Sequence, residues 1–420
     1  MILVHRLLSA SRHLAGRLSS PFSSAVLTMS TERAHNFSPG PGMLPTKVME
    51  RAQREFLNFQ STHMGVLEIT NLDASNDHPG EPRQPVQKMM LETEHKLRET
   101  LKIPQNYRVL YMWGGAVGQF SAVPLNLCSK ENPKGDYVDM GFWSKRALTE
   151  GKKYCDVHVA ATVTTKIPHS STWDVRRDAD FVHICLNETV QGTEFHEDPE
   201  WPSDYPPLVA DATSTLLSRP VDIARYGIVY ASGGKNLPAG MCLVIIREDL
   251  LTDREAHPLC PQVFDYRKLG GALMPKASCF QSLPNTPPVF AVYMLGLVLD
   301  WIREDFGGDL NQVKRWAHAR AEKLYDAVEA SRGFYSTDVS RECRSVMNAP
   351  FWVNGGDIEM ERRFAVEAAA AGLHYCFGHP VTGGVRITMY LGLPEATSDA
   401  AIAFMQKFEK ENNPNTPAAA

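Results

Sequence analysis

The sequence predicts an α/β fold whose largely parallel sheet is followed by a smaller α+β domain. Three observations carry that prediction. Between residues 108 and 247, apolar runs of strand length alternate with helical patterns, the arrangement that builds parallel sheets with helices on their faces. After residue 285, long helical patterns, two strand-like runs and further helices replace that alternation. Between about residues 35 and 410, neither an internal repeat nor a low-complexity linker interrupts the chain, which argues for one intertwined body rather than separate modules.

Taken in order, residues 1–30 differ from the rest. Arg6, Arg12 and Arg17 lie among leucines and serines, and the first acidic residue is Glu32. An acid-free, basic, amphipathic start is the pattern of a mitochondrial or plastid transit peptide, with a disordered tail as the alternative. Met29 offers a second start and hence a cytosolic form. AHNFSPGPGMLP (34–45) is extended, because Pro and Gly break both regular patterns. Helical periodicity follows over 46–59 and again over 85–101.

The strand-length runs are RVLYMW (108–113), KGDYVDM (134–140), VHVAAT (157–162), FVHICLN (181–187), PLVADAT (207–213), GIVYAS (227–232) and MCLVIIR (241–247). GGAVGQF (114–120) opens a short helix after the first, and SKRALTEGKKY (144–154) is a helix after the second. Residues 286–302 and 310–331 read as long helices, 345–353 and 384–391 as strands, and 361–373 and 398–411 as closing helices. This divides the chain into a large domain at 35–285, whose N-terminal segment returns to the small domain, a small domain at 286–410 and a disordered tail at 411–420.

Composition narrows the function. With 420 residues the chain can bury a large core. Its 43% hydrophobic and 22% charged residues are those of an ordinary globular protein, and a net charge of -5 argues against a nucleic-acid or anionic-membrane partner. The longest apolar run, 289–299, is too short to span a bilayer. The 8 cysteines are scattered singly with no zinc spacing, so neither a disulfide framework nor a metal is indicated. A small-molecule ligand is the expectation.

Four loops fall just after strands: GGAVG, NET, DAT and GGK. In an open α/β sheet, ligands bind beyond the carboxyl ends of the strands. GGAVG can turn backbone N–H groups toward a phosphate at a helix N-terminus. Asp211 ends a strand, where a lone aspartate equally serves as a cap for the residues after it. Lys235 follows 24 positions later between glycine and asparagine, where a lone lysine equally reads as a solvated turn residue. Together they ask for pyridoxal 5'-phosphate, which needs a lysine for its Schiff base, a carboxylate at its ring nitrogen and an anion cradle.

HNFSPGPGMLP, GGAVGQFSAVPLNL, GFWSKRA, CLNETVQGTEF, VADATSTLLSRPVD, YASGGKNLPAG, LPNTPPVF, SVMNAPF and GHPVTGGVRITMY occur in that order. On these stretches the chain, from His35 to Lys410, resembles the phosphoserine aminotransferase family, class-V, fold-type I enzymes dependent on pyridoxal phosphate. The resemblance implies a large domain with a mainly parallel seven-stranded sheet and a small C-terminal α+β domain. It implies amino transfer between L-glutamate and a 2-oxo acid, nominally 3-phosphohydroxypyruvate, in serine biosynthesis. It also implies a homodimer with shared active sites.

Residue by residue, the resemblance gives Lys235 the Schiff base and the proton transfers, Asp211 the ring nitrogen and Trp143 the ring face. Thr189 would bind the ring oxygen region. Ala116 and Val117 would offer backbone donors to the cofactor phosphate, with Asn285 and Thr286 reaching it from the partner subunit. Arg386 would clamp the substrate carboxylate, a task suited to a planar bidentate donor; an ordinary core tryptophan and an ordinary strand-end arginine are the plain alternatives for Trp143 and Arg386.

The pattern breaks in three places. Where the family carries His-Arg pairs for the substrate phosphate, this chain has Asn71-Leu72 and His379-Pro380, and the family's glutamine before the lysine is Gly234. Lost guanidinium contacts to a dianion cost about 1.5–3 kcal/mol each. Either His63, His78, Arg83 or His374 replaces them, or the substrate is a non-phosphorylated amino or oxo acid. A cysteine-desulfurase chemistry fits less well, since those relatives stack a histidine where Trp143 stands. A non-enzymatic scaffold predicts no turnover with 2-oxoglutarate.

Overall fold

The structure, a computed structural model, describes residues 33–69, 85–128, 131–271 and 285–413. The expected transit segment with Met29, the positions Asn71, Leu72, His78 and Arg83, and the tail from residue 414 lie outside the described residues.

The chain begins with a two-residue strand β1 (His35–Asn36), the helix α1 (Thr46–Glu55) and the helix α2 (Pro85–Leu101). The alternating region follows as β2 (Tyr107–Met112), α3 (Gly115–Leu127), β3 (Lys134–Asp139), α4 (Phe142–Gly151), β4 (Asp156–Thr162) and β5 (Phe181–Cys185). A small hairpin comes next, β6 (Asn187–Glu188) with β7 (Thr193–Glu194), then β8 (Leu208–Asp211), β9 (Ile228–Ser232) and β10 (Cys242–Arg247). Two single-turn helices, α5 (Asp249–Thr252) and α6 (Tyr266–Leu269), precede the long α7 (Val289–Phe306) and α8 (Leu310–Ala330). The chain closes with β11 (Tyr335–Ser336), β12 (Asn348–Val353), α9 (Ile358–Ala370), β13 (Leu373–His374), β14 (Val385–Thr388) and α10 (Glu395–Asn412).

Seven strands form the main sheet in the order β2-β10-β9-β8-β5-β3-β4. All run parallel except β10, which is antiparallel to both neighbours. The reason is chain length. Nine residues, 233–241, join β9 to β10, too few for a crossover to a parallel neighbour but enough for a return. The sheet is covered on both faces, and its side chains divide accordingly. In β10, Leu243 and Ile245 enter one apolar cluster while Val244 and Ile246 enter the other, the period-two alternation of a strand.

The C-terminal part holds a three-stranded antiparallel sheet, β11-β12-β14. There β1 pairs in parallel with β13, His35 opposite Leu373, so the N-terminal segment returns to the C-terminal residues. Residues 286–302, read as a helix, begin that helix at Val289 and continue it to Phe306.

Other expected boundaries move as well. α1 ends at Glu55 rather than at residue 59, because the chain turns back on itself: Gln60, Ser61 and His63 have positive φ, and the Asn58 side chain accepts from His63 N at 2.7 Å. The short helix after GG runs 13 residues, to Leu127, with Pro124 inside it. α10, read over 398–411, begins at Glu395 and reaches Asn412, where buried Phe408 anchors its last turn and the Asn412 side chain donates to Phe408 O at 2.8 Å.

Candidate active site

Because β2, β5, β8 and β9 run parallel, the segments after them leave the sheet at one edge. There they enclose a cavity of about 200 Å³. Its wall includes Ala116 and Val117 from the start of α3, Trp143 from α4, Thr189 from the β6–β7 hairpin, Asp211 from the end of β8 and Lys235 from the β9–β10 connection. Six positions drawn from five segments of sequence thus meet around one space.

The start of α3 supplies an anion site by helix geometry alone. Its first main-chain bond of the α-helical kind runs from Gly118 N to Gly114 O, 3.0 Å, which leaves the N–H groups of Gly115, Ala116 and Val117 outside the helix's own ladder. Gly115, Ala116 and Val117 line the cavity, and the helix dipole favours negative charge there.

Asp211 lines the same cavity. It is buried at 4% exposure, and burial raises its pKa against the opposing hydrogen bonds from Thr213 and Tyr230 and the nearby charge of Lys235. Its Oδ1 accepts from Thr213 N at 2.9 Å, so one oxygen does the local capping that a lone aspartate would do. Behind it Tyr230 Oη meets His183 Nε2 at 2.9 Å; burial pushes the His183 pKa down to about 3, keeping that ring neutral.

The backbone around Lys235 explains why glycines precede it. Gly233 N donates to Met241 O and Gly234 N to Leu237 O, both at 2.8 Å. A Cβ on Gly233 would lie 1.9 Å from Pro238 O, so only glycine closes this turn. Gly234, where the family's glutamine stands, has a φ of +101°, a conformation that strains any side-chain-bearing residue. Lys235 Nζ donates to the Pro39 carbonyl and stands 5.5 Å from the Tyr390 ring centre. Tyr390 Oη donates to the same carbonyl at 3.0 Å, which seats the SPGPG segment against the lysine.

Trp143, Thr189 and Arg386 form a chain of contacts. Trp143 Nε1 donates to Thr189 Oγ1 at 2.9 Å, and Arg386 Nη1 donates to Thr189 O at 3.1 Å. Arg386 is 4% exposed, and burial lowers its pKa, with Tyr390 acting against that shift. His379 lies further out. Its ring packs 4.6 Å from that of Phe142 and its Nδ1 accepts from Val381 N at 3.2 Å, while burial first and Arg386 second lower its pKa. Pro380 beside it is exposed.

Neither Asn285 nor Thr286 lines this cavity. Thr286 O instead accepts from Trp113 Nε1 at 2.9 Å, just before the start of α3. Cavity residues that sequence reading did not single out are Cys185, Asn187, Thr213, Ser214 and Ser232. All lie inside or next to the motifs quoted from the sequence: Cys185 and Ser232 end strands, and Asn187, Thr213 and Ser214 are an amide or hydroxyl two or three positions past one.

The wall fits pyridoxal phosphate: an amine, a buried carboxylate, an indole and unladdered backbone N–H groups. The family model for Aminotransferase class-V matches residues 34–391. The chain belongs to the class-V aminotransferase family. Among curated relatives, the phosphoserine aminotransferase of Ralstonia nicotianae is 38% identical over 91% of this chain and 97% of its own. That of Hahella chejuensis is 39% identical over 91% and 99%. Among solved structures, the phosphoserine aminotransferase of Bacillus circulans subsp. alkalophilus is 34% identical, with a TM-score of 0.80 over 91% of this chain and 99% of that one. The pyridoxal-phosphate-bound enzyme of Trichomonas vaginalis is 32% identical, with a TM-score of 0.79 over 89% and 100%. The fold is that of the fold-type I aminotransferases, and the chain is a pyridoxal-phosphate-dependent transaminase.

Proposed function

We propose that the enzyme moves the amino group of L-glutamate to 3-phosphohydroxypyruvate, giving O-phospho-L-serine for serine synthesis. The names of relatives 38–39% identical over 91% of the chain support the substrate. The observation that carries the chemistry is the meeting of Lys235, Asp211 and the start of α3 in one cavity.

Bound pyridoxal phosphate supplies an electron sink for the substrate α-carbon. Asp211, held in place by Thr213, would hold the ring nitrogen and so maintain that sink. The first turn of α3 would hold the cofactor's phosphate through its backbone N–H groups. Trp143, its indole N–H fixed on Thr189, would cover one ring face. Lys235 Nζ would move the proton taken from the substrate α-carbon, the general acid–base role of a positioned amine. Arg386 binds the substrate carboxylate in a bidentate manner. Asn285 and Thr286 act on the site of a second copy, so the working unit is a homodimer, a reading checked by mixing inactive Lys235→Ala chains with Asn285→Ala, Thr286→Ala chains and measuring recovered activity. The basic, acid-free residues 1–30 support import into a mitochondrion or plastid, which fractionation of cells expressing the tagged chain tests.

The deciding experiment is a visible absorbance titration of the holoenzyme with O-phospho-L-serine, L-glutamate and a set of unphosphorylated amino acids. Conversion by glutamate and by micromolar phosphoserine is the expected result. Conversion by glutamate and an unphosphorylated amino acid, with phosphoserine inert, would overturn the substrate and make the altered positions Leu72 and Pro380 its cause. Arg386→Lys is expected to lower kcat/KM for glutamate and phosphoserine alike by roughly 10- to 100-fold, the worth of a charge-assisted bidentate contact reduced to a point charge. Steady-state kinetics with both substrates checks it.

A further inference from the structure

α4, the helix that carries Trp143, begins without a cap of its own. Its N-cap residue is Gly141, which has no side chain to offer, and the Ser144 hydroxyl faces backward, accepting from Met140 N at 2.7 Å and Gly141 N at 2.9 Å. The first N–H groups of a helix need outside acceptors. Three successive ones find them on the β6–β7 hairpin. Phe142 N donates to Gln191 Oε1 at 3.0 Å, Trp143 N to Glu188 Oε2 at 3.1 Å and Ser144 N to Glu188 Oε1 at 2.7 Å.

Glu188 is an unusual residue to place here. It is 0% exposed, and among the described residues it forms no ion pair with Lys, Arg or His. Burial pushes its pKa up to about 7, with nearby Asp211 adding to the rise and the contacts to Ser144 and Trp143 opposing it. A buried carboxylate without a cation is costly. What it offers is two acceptors side by side, which a neutral glutamine cannot match, since its amide would turn N–H against N–H. Gln191 needs room as well: a Cβ on Gly141, where φ is +146°, would stand 2.2 Å from Gln191 Oε1.

Simple helix capping accounts for these contacts but not for where they lead. Glu188 holds the main chain of Trp143, and its neighbour Thr189 holds the indole Nε1 of the same residue. Thr189 also accepts from Arg386. The tryptophan is therefore pinned at both backbone and ring by two consecutive residues, while Glu188 itself does not line the cavity. We propose that Glu188, assisted by Gln191, is a positioning residue that fixes Trp143 against the cofactor ring, so that ring orientation depends on a carboxylate outside the cofactor's reach. This rests on the aminotransferase chemistry and not on which 2-oxo acid is the acceptor.

The test uses full-length holoenzyme and the glutamate half-reaction, with Glu188→Gln, Gln191→Ala, Trp143→Phe and the double variant Glu188→Gln, Trp143→Phe. Misplacing a group that orients the reacting centre costs up to about 100-fold. Glu188→Gln is expected to lower kcat by roughly 10- to 100-fold with little change in KM or melting temperature, and to lose most of the visible circular dichroism per bound cofactor. Trp143→Phe gives the same signature, and the double variant is no worse than Trp143→Phe alone, the non-additivity expected of residues acting through one another. In cofactor-free protein, the near-ultraviolet dichroism due to Trp143, taken as the difference from Trp143→Phe, collapses in Glu188→Gln. Wild-type dichroism and kcat in Glu188→Gln, or additive losses in the double variant, overturn the proposal. If Glu188→Gln does not fold, Gln191→Ala at its half-buried position carries the test: a weaker loss in the same direction supports the proposal, and unchanged dichroism overturns it. A wild-type enzyme inert to glutamate would instead overturn the chemistry on which the proposal stands.

Discussion

Lys235→Ala is expected to slow turnover by roughly 10²- to 10⁴-fold and to leave the purified protein without the visible band of lysine-bound cofactor, while its melting temperature in cofactor-free form stays near that of the wild type. The separation follows from what the side chain touches. Lys235 is half-buried, and its amine meets the Pro39 carbonyl and the Tyr390 ring; Tyr390 still donates to that carbonyl when the lysine is gone. The turn itself is closed by Gly233 and Gly234 through main-chain bonds, so removing the lysine side chain removes no closure. What is lost is an amine at the α-carbon of the substrate, for which no second lysine among the described residues lines the cavity. A scan from 300 to 500 nm with parallel calorimetry checks both halves. A surviving visible band would mean that another amine holds the cofactor, and a collapse in melting temperature would mean that the lysine is structural.

Much of this arrangement is legible in the sequence, because both the sheet and the site follow from patterns that are local. The seven apolar runs became the seven strands of the main sheet, and the helix read over 85–101 has those ends in the structure. Local signals fail where the partner is distant. β1 and β13 are two residues long and exist only because they pair with each other across the chain. The reversal of β10 was readable from its nine-residue connection to β9, yet the apolar run itself looks the same in either direction.

The site shows the same division. Lys235, Asp211, Trp143, Thr189, Ala116 and Val117 each sit in a motif that a sequence can display, and all six reach the cavity. Ser232 and Thr213 stand two or three positions from Lys235 and Asp211 and read as turn formers until Ser232 N is seen donating to Thr213 Oγ1 at 3.1 Å. Glu188 is harder still. An acid between Asn187 and Thr189 says nothing about which N–H groups it will meet, since Trp143 and Ser144 lie more than forty positions earlier. The hairpin that carries it has two-residue strands, too short for any periodicity to announce.

Asp211→Asn is expected to have opposite effects on catalysis and on stability. The carboxylate that serves the ring nitrogen is buried, and burial raises its pKa above the usual 3.8 of an aspartate. A group with a raised folded-state pKa gives stability that is fully present below its unfolded pKa and lost as pH rises through the folded value. Asparagine is neutral throughout and can still accept from Thr213 N, so the cofactor-free variant should melt above the wild type, by a margin that widens as pH rises from 4 toward neutrality. With cofactor present the balance reverses, because the charge that burial penalises now faces a cationic ring. The variant should lose roughly 10²- to 10³-fold in kcat, the cost typical of removing one preorganised electrostatic contact, and bind the cofactor more weakly. Melting curves of the cofactor-free proteins from pH 4 to 8, set beside kcat for glutamate, test both effects. A variant that melts lower at every pH would mean that the contacts of Asp211 with Thr213 and Tyr230 outweigh its desolvation, and that the wild-type protein holds this charge at no cost to its fold.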